Sequence, residues 1–503
     1  MKWAALTVFI IFFLLVTVLG FVAARWRKGD LGHIEEWGLA GRRFGTIVTW
    51  FLVGGDLYTA YTFIAVPALM YGAGALGFYA VPYTIVVYPI FFMILPRFWS
   101  VAKKHGYVTA SDFIEGRFDD RLLSLAIAIT GIVATMPYIA LQLTGMQAVI
   151  AAMGVGGEWP LIAAFIILAL YTYTSGLRAP AMIAVVKDLM IYITVIVAII
   201  VMPMKLGGFS HIFTSAQAAL ATHTPKGAFV ATPAQFSVYG TLALGSALAL
   251  FLYPHSMTGV FSASSRKVVQ RNMALLPAYS FALGIIALLG FMALAAGIHT
   301  KSSNAAVPLL FLKEFPQWFA GFGFAAIAIG ALVPAAIMSI AASNLFTRNI
   351  YKSYFVKNAT PQHEAKVAKF VSLIVKVGAL VFIIGFPQQY AISMQQVGGI
   401  LVLQTVPVLI FGLYTRWFHR RAYLIGWIVG IVYGIYMWGT TGYKSTTYVL
   451  HLFGQAMPAY AGIWALIANI IVTVVLSLVF NAVKVGQGED KTTAADYYTE
   501  ASM

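Results

Sequence analysis

Thirteen apolar runs, most of them about as long as a bilayer is thick, constrain the fold of this chain more than any other feature. A helix needs roughly 20 apolar residues to cross the hydrocarbon core. Hydrophobic residues make up 61% of the chain and charged residues 10%. We therefore predict an all-α polytopic membrane protein with 13 transmembrane helices, an anchor helix followed by core helices one to twelve. The runs cover 3–24, 46–70, 76–96, 122–152, 159–175, 180–203, 237–262, 273–297, 318–345, 368–386, 395–414, 422–440 and 460–482.

The Lys and Arg residues predict how the chain is oriented. Of the 32, 24 lie in the tail or in loops on the side of Arg25, six lie on the opposite side, and Lys187 and Lys376 lie within spans. Since these residues accumulate in cytoplasmic loops, we expect the N-terminus outside and the C-terminus in the cytoplasm. The formal net charge of +16 then reflects membrane topology, and it does not indicate nucleic-acid binding.

The second run is interrupted by polar residues. Its sequence TWFLVGGDLYTAYTF (49–63) begins as an apolar helix, meets Gly54, Gly55 and Asp56, and resumes with tyrosines and threonines. A bare carboxylate or an unpaired backbone group is costly in hydrocarbon, so it survives only beside protein or water. One interpretation is a kinked packing helix with Asp56 at an interface. The other is a broken helix whose freed carbonyls bind a substrate or an ion at the middle of the bilayer.

A second interruption follows five spans later. Proline removes an amide and clashes with the preceding turn, so core helix six should bend near Tyr253 and Pro254. The odd offset gives the two breaks opposite orientations, as in a five-plus-five inverted repeat that places a site between them. We predict a transporter with an anchor helix and loop at 1–45, a first repeat with its outside loop at 46–236 and a second repeat at 237–414. Two peripheral helices at 415–482 and a disordered cytoplasmic tail at 483–503 complete the chain.

Polar side chains near both breaks are the candidates for substrate binding. Hydroxyls, amides and helix N-termini can hold a small carboxylate without a full counter-charge. His255 is the only one of nine histidines in the middle of a span; it either packs by hydrogen bonding or binds the anion. The tyrosines are packing residues at a kink or a gate. The candidates are Asp56, Tyr58, Thr59, Tyr61, Thr62, Gln142, Tyr253, His255, Ser256 and Gln404.

An enzyme and a channel are the competing classes. A membrane-embedded enzyme needs a metal cluster or a nucleophile with its base, and the spans hold only two acids, Asp56 and Asp188, and one central histidine. The chain lacks cysteine, which excludes thiolate chemistry. A channel needs a ring or filter sequence, and none is recognisable. We therefore expect neither an enzyme nor a channel.

Several motifs resemble those of the sodium/solute symporter family, which shares the LeuT-type architecture. They are GRRFG at 41–45, PRFW at 96–99, GYVTASDF at 106–113, PYIALQL at 137–143, the Pro254-His255 pair with the Arg266-Lys267 loop, and FGLYTR at 411–416 followed by Gly426-Trp427. The resemblance covers nearly the whole chain. It is closest to the family's bacterial monocarboxylate permeases.

The resemblance implies a sodium site that this sequence does not complete. In the family, carbonyls at the first break and oxygens of core helix eight bind sodium, which matches Gly55, Tyr58, Ala336 and Ser339 here. The second hydroxyl position is Ile340, which cannot bind a cation. Aligning core helix eight instead by its TRNIY motif at 347–351 shifts the register and loses the site.

Core helix five offers a second cation. Asp188 matches an aspartate common in the family, and Lys187 beside it resembles the lysine that replaces sodium in proton-coupled carriers of this architecture. A buried lysine readily gives up its proton. Alternatively, Lys187 extends to the cytoplasmic surface, about two turns from Arg178. We expect proton coupling in preference to sodium.

The function that the resemblance implies is symport of a small organic acid. We expect import of a monocarboxylate such as lactate or pyruvate across the plasma membrane of a bacterium or archaeon. The alternative is a sodium-coupled symporter for an amino acid or another small solute. We expect no cofactor beyond the coupling ion, and a monomer in the lipid bilayer.

Overall fold

The computed structural model describes residues 1–26, 29–56, 59–157, 159–222, 226–385 and 391–498, and it is mostly helical. Among these residues, eight helices are long and apolar enough to cross a membrane, or ten if each of two bent pairs is one span. Helix occurs within all thirteen predicted runs. Thirteen crossings and the inverted repeat stay predictions.

The described residues up to Thr222 form ten α-helices. Three-residue 3₁₀ turns follow α1 and α2, and π-helical turns at Trp50–Gly54 and Tyr61–Ala65 flank the first break. A 3₁₀ turn at Ala75–Tyr79 leads into α5. The α-helices are α1 (Trp3–Val22), α2 (Ile34–Leu39), α3 (Thr46–Thr49), α4 (Val66–Ala73), α5 (Ala80–His105), α6 (Ala110–Phe118), α7 (Arg121–Ala152), α8 (Trp159–Ser175), α9 (Arg178–Lys205) and α10 (Gly208–Thr222).

The described residues from 226 onward form eleven α-helices. A 3₁₀ turn at Ser303–Ala305 precedes α15, a π-helical stretch at Phe346–Phe355 extends α16, and turns at Leu403–Thr405 and Pro407–Phe411 connect α18 to α19. The α-helices are α11 (Pro233–Leu250), α12 (Pro254–Phe261), α13 (Arg266–Ala287), α14 (Leu289–Ala295), α15 (Ala306–Glu314), α16 (Gln317–Leu345), α17 (Pro361–Gly385), α18 (Ile392–Val402), α19 (Gly412–Tyr414), α20 (Arg420–Thr440) and α21 (Ala461–Ala482).

Helix α16 forms the centre of the bundle. The most apolar 18-residue stretch of this helix is entirely buried, whereas 22% of the corresponding stretch of α1 and 33% of that of α21 are buried. Small residues allow this burial because they let backbones approach closely. At Gly321, for example, an added Cβ would lie 2.2 Å from the carbonyl oxygen of Ala5 on α1. Helices α1 and α21 are therefore much more exposed than α16, while their roles as anchor and peripheral helices stay predictions.

Two helix pairs are bent at prolines. The axes of α11 and α12 differ by 46° across the break before Pro254, where the sequence predicts it. The segments Ile392–Thr405 and Pro407–Tyr414 differ by 44°, a bend that the sequence analysis did not anticipate. Both bends begin where a proline cannot donate the amide hydrogen bond that a continuous helix needs.

The all-α prediction is incomplete, since the chain also contains a β-hairpin. Strand β1 (Thr447–Leu452) pairs in antiparallel fashion with β2 (Gln455–Tyr460), in register from Thr447 opposite Tyr460 to Leu452 opposite Gln455. The hairpin connects α20 to α21. Side chains at its base, Thr446 and Tyr460, are buried against Gln396 of α18.

The tail does not agree with the prediction of disorder over 483–503, at least as far as Tyr498. It packs along one end of the bundle, the basic face, which we define by Arg97, Arg117 and Arg266 and the ends of α5, α6 and α13 that carry them. Asp490 accepts a hydrogen bond of 2.5 Å from Arg117, and Asp496 lies 2.8 Å from His105. A capping box at Thr493 starts a 3₁₀ turn, Ala494–Tyr497. Side-chain contacts to α5 and α6 order these polar residues.

Candidate functional site

The first break brings two glycines into tight contact with neighbouring helices. A Cβ added to Gly54 would lie 2.8 Å from Cδ2 of Leu276 on α13. One added to Gly55 would lie 2.9 Å from Nζ of Lys187 and 3.1 Å from Oδ2 of Asp188, both on α9. The glycine pair therefore lets the helix fit between α9 and α13. Asp56 follows and is 5% exposed. Tyr58, a predicted ligand of both substrate and ion, lies outside the described residues.

Lys187 reaches the first break instead of the surface. Its side chain is fully buried, its ammonium donates a hydrogen bond to the carbonyl of Gly55, and Nζ lies 2.9 Å from Oδ1 of Asp188. Asp188 is also fully buried, and its Oδ2 accepts a hydrogen bond of 2.6 Å from the hydroxyl of Tyr279. The alternative in which Lys187 extends to the cytoplasmic surface is wrong. A buried carboxylate and a buried ammonium offset each other's charge here.

The two breaks meet at Asp56. Nε2 of His255, at the start of α12, lies 3.2 Å from Oδ2 of Asp56, and the hydroxyl of Ser256 donates to the same oxygen at 3.4 Å. Although Nε2 of His255 lies close to Asp56, the geometry of this contact is not that of a hydrogen bond. Within the described part of the chain, Oδ1 of Asp56 and both ring nitrogens of His255 have no hydrogen-bond partner. A polar ligand could supply the hydrogen bonds that these buried atoms lack.

Threonine and glutamine side chains form further hydrogen bonds between the residues that follow the first break and α7. Nε2 of Gln142 on α7 donates to Oγ1 of Thr59 at 3.4 Å, and Oγ1 of Thr62 accepts from the amide of Thr59 at 3.4 Å. Among the described residues, Oε1 of Gln142 has no donor. The ring of Tyr61 packs edge-on against Tyr83, with centroids 6.4 Å apart. Predicted residues from both breaks and from α7 thus share one buried region.

Aromatic rings surround His255. The centroids of Tyr138 and Tyr253 each lie 5.3 Å from that of His255. The hydroxyl of Tyr253 donates at 2.8 Å to the carbonyl of Gln395 on α18, so this tyrosine links the second break to α18. We call Asp56, Thr59, Gln142, His255 and Ser256, with the rings of Tyr138 and Tyr253, the central cluster.

The two predicted sodium ligands on α16 form a hydrogen bond with each other. Ala336 and Ser339 are fully buried, and the Ser339 hydroxyl donates to the Ala336 carbonyl at 2.8 Å. Gly55, the third described ligand, accepts from Lys187. Ile340 presents only hydrocarbon. The Ala336 and Gly55 carbonyls thus already accept hydrogen bonds from side chains, and the second hydroxyl position is an isoleucine, so the described residues do not complete the family's sodium site.

Gln404 lies with the peripheral helices instead of the central cluster. Its Oε1 accepts from Asn469 of α21 at 3.2 Å, and its Nε2 donates to the Ile400 carbonyl at 2.9 Å. A Cβ added to Gly430 of α20 would lie 2.1 Å from that Oε1. Its predicted place in the substrate site is therefore not supported. The bend at Pro407 starts a new helical segment here, which sequence spacing did not reveal.

Sequence reasoning missed three residues of this region. Tyr279 bonds Asp188, Tyr138 faces His255, and Gln396 donates to the hydroxyl of Tyr79 at 2.8 Å. Only Tyr138 carried a signal, because it lies in the PYIALQL motif. The described residues contain no group of three acidic, histidine or cysteine side chains that could hold a metal ion.

Comparison with known proteins identifies the family of this chain. The model of the sodium:solute symporter family matches residues 37–430. The chain is 56% identical over 479 residues to a monocarboxylate transport permease protein of Rhizobium johnstonii, covering 95% of this chain and 97% of that protein. It is 32% identical over 482 residues to the uncharacterized symporter YodF of Bacillus subtilis, covering 95% and 93%.

A solved structure supports the fold. The chain matches a Na⁺-coupled sialic acid symporter in a substrate-bound outward-open state with a TM-score of 0.74 and 17% identity, over 95% of this chain and 98% of that one. Identity this low concerns the fold alone. Together with the family match, it confirms the resemblance found in the sequence and indicates a multi-pass membrane transporter. The chain belongs to the sodium:solute symporter family.

Proposed function

We propose that this symporter imports a small monocarboxylate such as lactate or pyruvate by alternating access, driven by protons in preference to sodium. The substrate class is supported by the relative named as a monocarboxylate transport permease, which is 56% identical over nearly all of both chains. Alternating access is supported by the two broken segments that meet at Asp56, since transporters of inverted-repeat type bind substrate between such segments.

The central cluster suits a small acid that travels with a cation. The His255 ring, the Ser256 hydroxyl and the start of α12 offer hydrogen-bond donors and a positive dipole end to a carboxylate. Asp56, 3.2 Å from His255, would repel that carboxylate. A cation that enters with the substrate offsets this repulsion, because two like charges in a buried site destabilise each other. Symport, and not uniport, is the expected mode.

Lys187 carries the proposal of proton coupling. Its ammonium bonds the Gly55 carbonyl and pairs with Asp188, in the place where the family binds sodium. Loss of its proton would remove the positive charge from this carbonyl and leave Asp188 without its counter-charge. The first break would then lose one of the contacts that fix its position. A protonatable side chain at the break can thus couple the proton gradient to helix movement.

Uptake into proteoliposomes tests the proposal. Radiolabelled pyruvate or lactate should accumulate under an imposed proton gradient in sodium-free buffer, and a protonophore should abolish accumulation. A sodium gradient alone should drive none. Strict dependence on sodium would contradict proton coupling, and uptake of amino acids with no uptake of either acid would contradict the proposed substrate class.

A matched pair of lysine variants tests the role of Lys187. Lys187→Met should lower proton-driven accumulation by about ten-fold or more, in line with a typical coupling energy. Lys376→Met is the control, because Lys376 is also buried in a span but donates to the Ser372 carbonyl of its own helix. It should keep most of the activity. If both variants lose accumulation equally, the loss reflects a need for buried lysines in folding and contradicts a specific role of Lys187 in coupling.

A further inference from the structure

The segment before the first break is held between two helices. Gly54 faces α13, where its added Cβ would meet Leu276, and Gly55 faces α9, where it would meet Lys187. The indole of Trp50, one turn earlier, packs edge-on against Tyr279 of α13 with centroids 5.6 Å apart. Any change in the spacing of α9 and α13 therefore changes the position of this segment.

Tyr279 connects these two helices directly. It is 3% exposed, and its hydroxyl donates to Oδ2 of Asp188 at 2.6 Å. Its ring also packs against Tyr192 of α9, with centroids 5.5 Å apart. One side chain of α13 thus contacts both the carboxylate of α9 and the aromatic face of the broken segment.

The two oxygens of Asp188 have different neighbours. Oδ1 lies 2.9 Å from the ammonium of Lys187, whereas Oδ2 takes the Tyr279 hydroxyl. Without that hydroxyl, Oδ2 would be a buried carboxylate oxygen that seeks another donor. The ammonium of Lys187 is beside it and would turn toward the carboxylate. Its hydrogen bond to Gly55 would weaken as a result.

We propose that Tyr279 is a positioning residue for cation coupling, whose hydroxyl holds Asp188 so that Lys187 stays on the Gly55 carbonyl. This inference rests on the proposed function, because it assigns Tyr279 a role through Lys187. It concerns coupling between the cation and the substrate, and it does not concern substrate binding. Tyr279 lies outside the central cluster.

Tyr279→Phe tests the proposal, since it removes one oxygen and keeps the ring. Two assays in proteoliposomes are compared: substrate counterflow without an ion gradient, and accumulation driven by whichever cation gradient drives the unaltered protein. Counterflow should be nearly unchanged, whereas accumulation should fall about five-fold or more. Equal loss in both assays, or loss in neither, would overturn the proposal.

Tyr171→Phe is the matched control. Tyr171 is also a buried tyrosine, it packs over Gly20 of α1, and within the described residues its hydroxyl has no partner. Both assays should be unaffected by its loss. If sodium drives the unaltered protein, proton coupling fails, yet the Tyr279 variant is still compared under a sodium gradient. The two failures are therefore distinguishable.

A double variant shows whether Tyr279 acts through Lys187. Residues that act through one another have non-additive effects. Adding Tyr279→Phe to Lys187→Met should cause no further loss of gradient-driven accumulation. Additive losses would assign Tyr279 an independent role and overturn the proposal.

Discussion

Gly55 is the residue at which the coupling group and the broken helix meet. Its carbonyl accepts a hydrogen bond from Lys187, and the absence of a side chain leaves room for that ammonium and for Asp188. From the sequence, Gly54 and Gly55 are predicted to interrupt a helix. In the structure, they are also packing residues. Both functions require the same residue type, so the sequence alone could not separate them.

Gly55→Ala should displace Lys187, because the new Cβ would lie 2.9 Å from its Nζ. We expect gradient-driven accumulation to fall about ten-fold, a typical size for a lost coupling contact. Gly45→Ala, ten residues earlier, places its Cβ where no heavy atom lies within 4 Å, and it should retain activity. Comparable accumulation by both variants in proteoliposomes would contradict the importance of this contact.

Among the secondary-structure elements, features that depend on neighbouring residues in the sequence could be predicted, whereas contacts between residues far apart in the sequence could not. The bend before Pro254 depends on a local residue, the proline itself, and could be predicted. The partner of Asp188 could not, because Tyr279 is 91 positions away. The same holds for Gln396, whose side chain accepts from Thr446 at 2.5 Å and donates to Tyr79. Such pairings depend on tertiary packing, which periodicity does not encode.

Gln396→Met tests the connection between α18, the hairpin and the start of α5. The change keeps the approximate volume but removes the side-chain partner of the Thr446 hydroxyl and one of the partners of the Tyr79 hydroxyl. An unsatisfied buried polar group costs about 1–3 kcal/mol, so the variant should unfold at a lower temperature in detergent. Gln317→Met, at an exposed site on α16, is the control. Equal melting temperatures for the two variants would show that the Gln396 bonds contribute little.

On the scale of the whole molecule, the tail connects helices that are distant in sequence. Arg117 of α6 bonds Asp490, the guanidinium of Arg97 lies 4.8 Å from the ring centroid of Tyr498, and Arg266 of α13 donates to the Tyr498 carbonyl at 3.2 Å. Composition predicted disorder here because the segment is polar. It could not account for partners supplied by the basic face.

Asp490→Ala should loosen this contact. Hydrogen bonds to charged groups contribute about 1.5–3 kcal/mol, so backbone amides of 486–498 should exchange with deuterium roughly ten-fold faster. Glu489→Ala alters the adjacent, exposed acid, for which the described residues show no ion pair, and it should leave exchange unchanged. Fast exchange of this segment in the unaltered protein would contradict its packing on the basic face.

The bond between Lys187 and Gly55 also bears on how the carrier responds to its surroundings. An ammonium attached by a short side chain acts at an effective concentration set by tether geometry, which for short flexible linkers is of millimolar order or higher. Dilution of the medium cannot remove it, and dissolved sodium must compete with it for the same carbonyl. Occupancy of this oxygen by Lys187 should therefore persist when the medium is diluted, in contrast to a carrier that must collect its ion from solution.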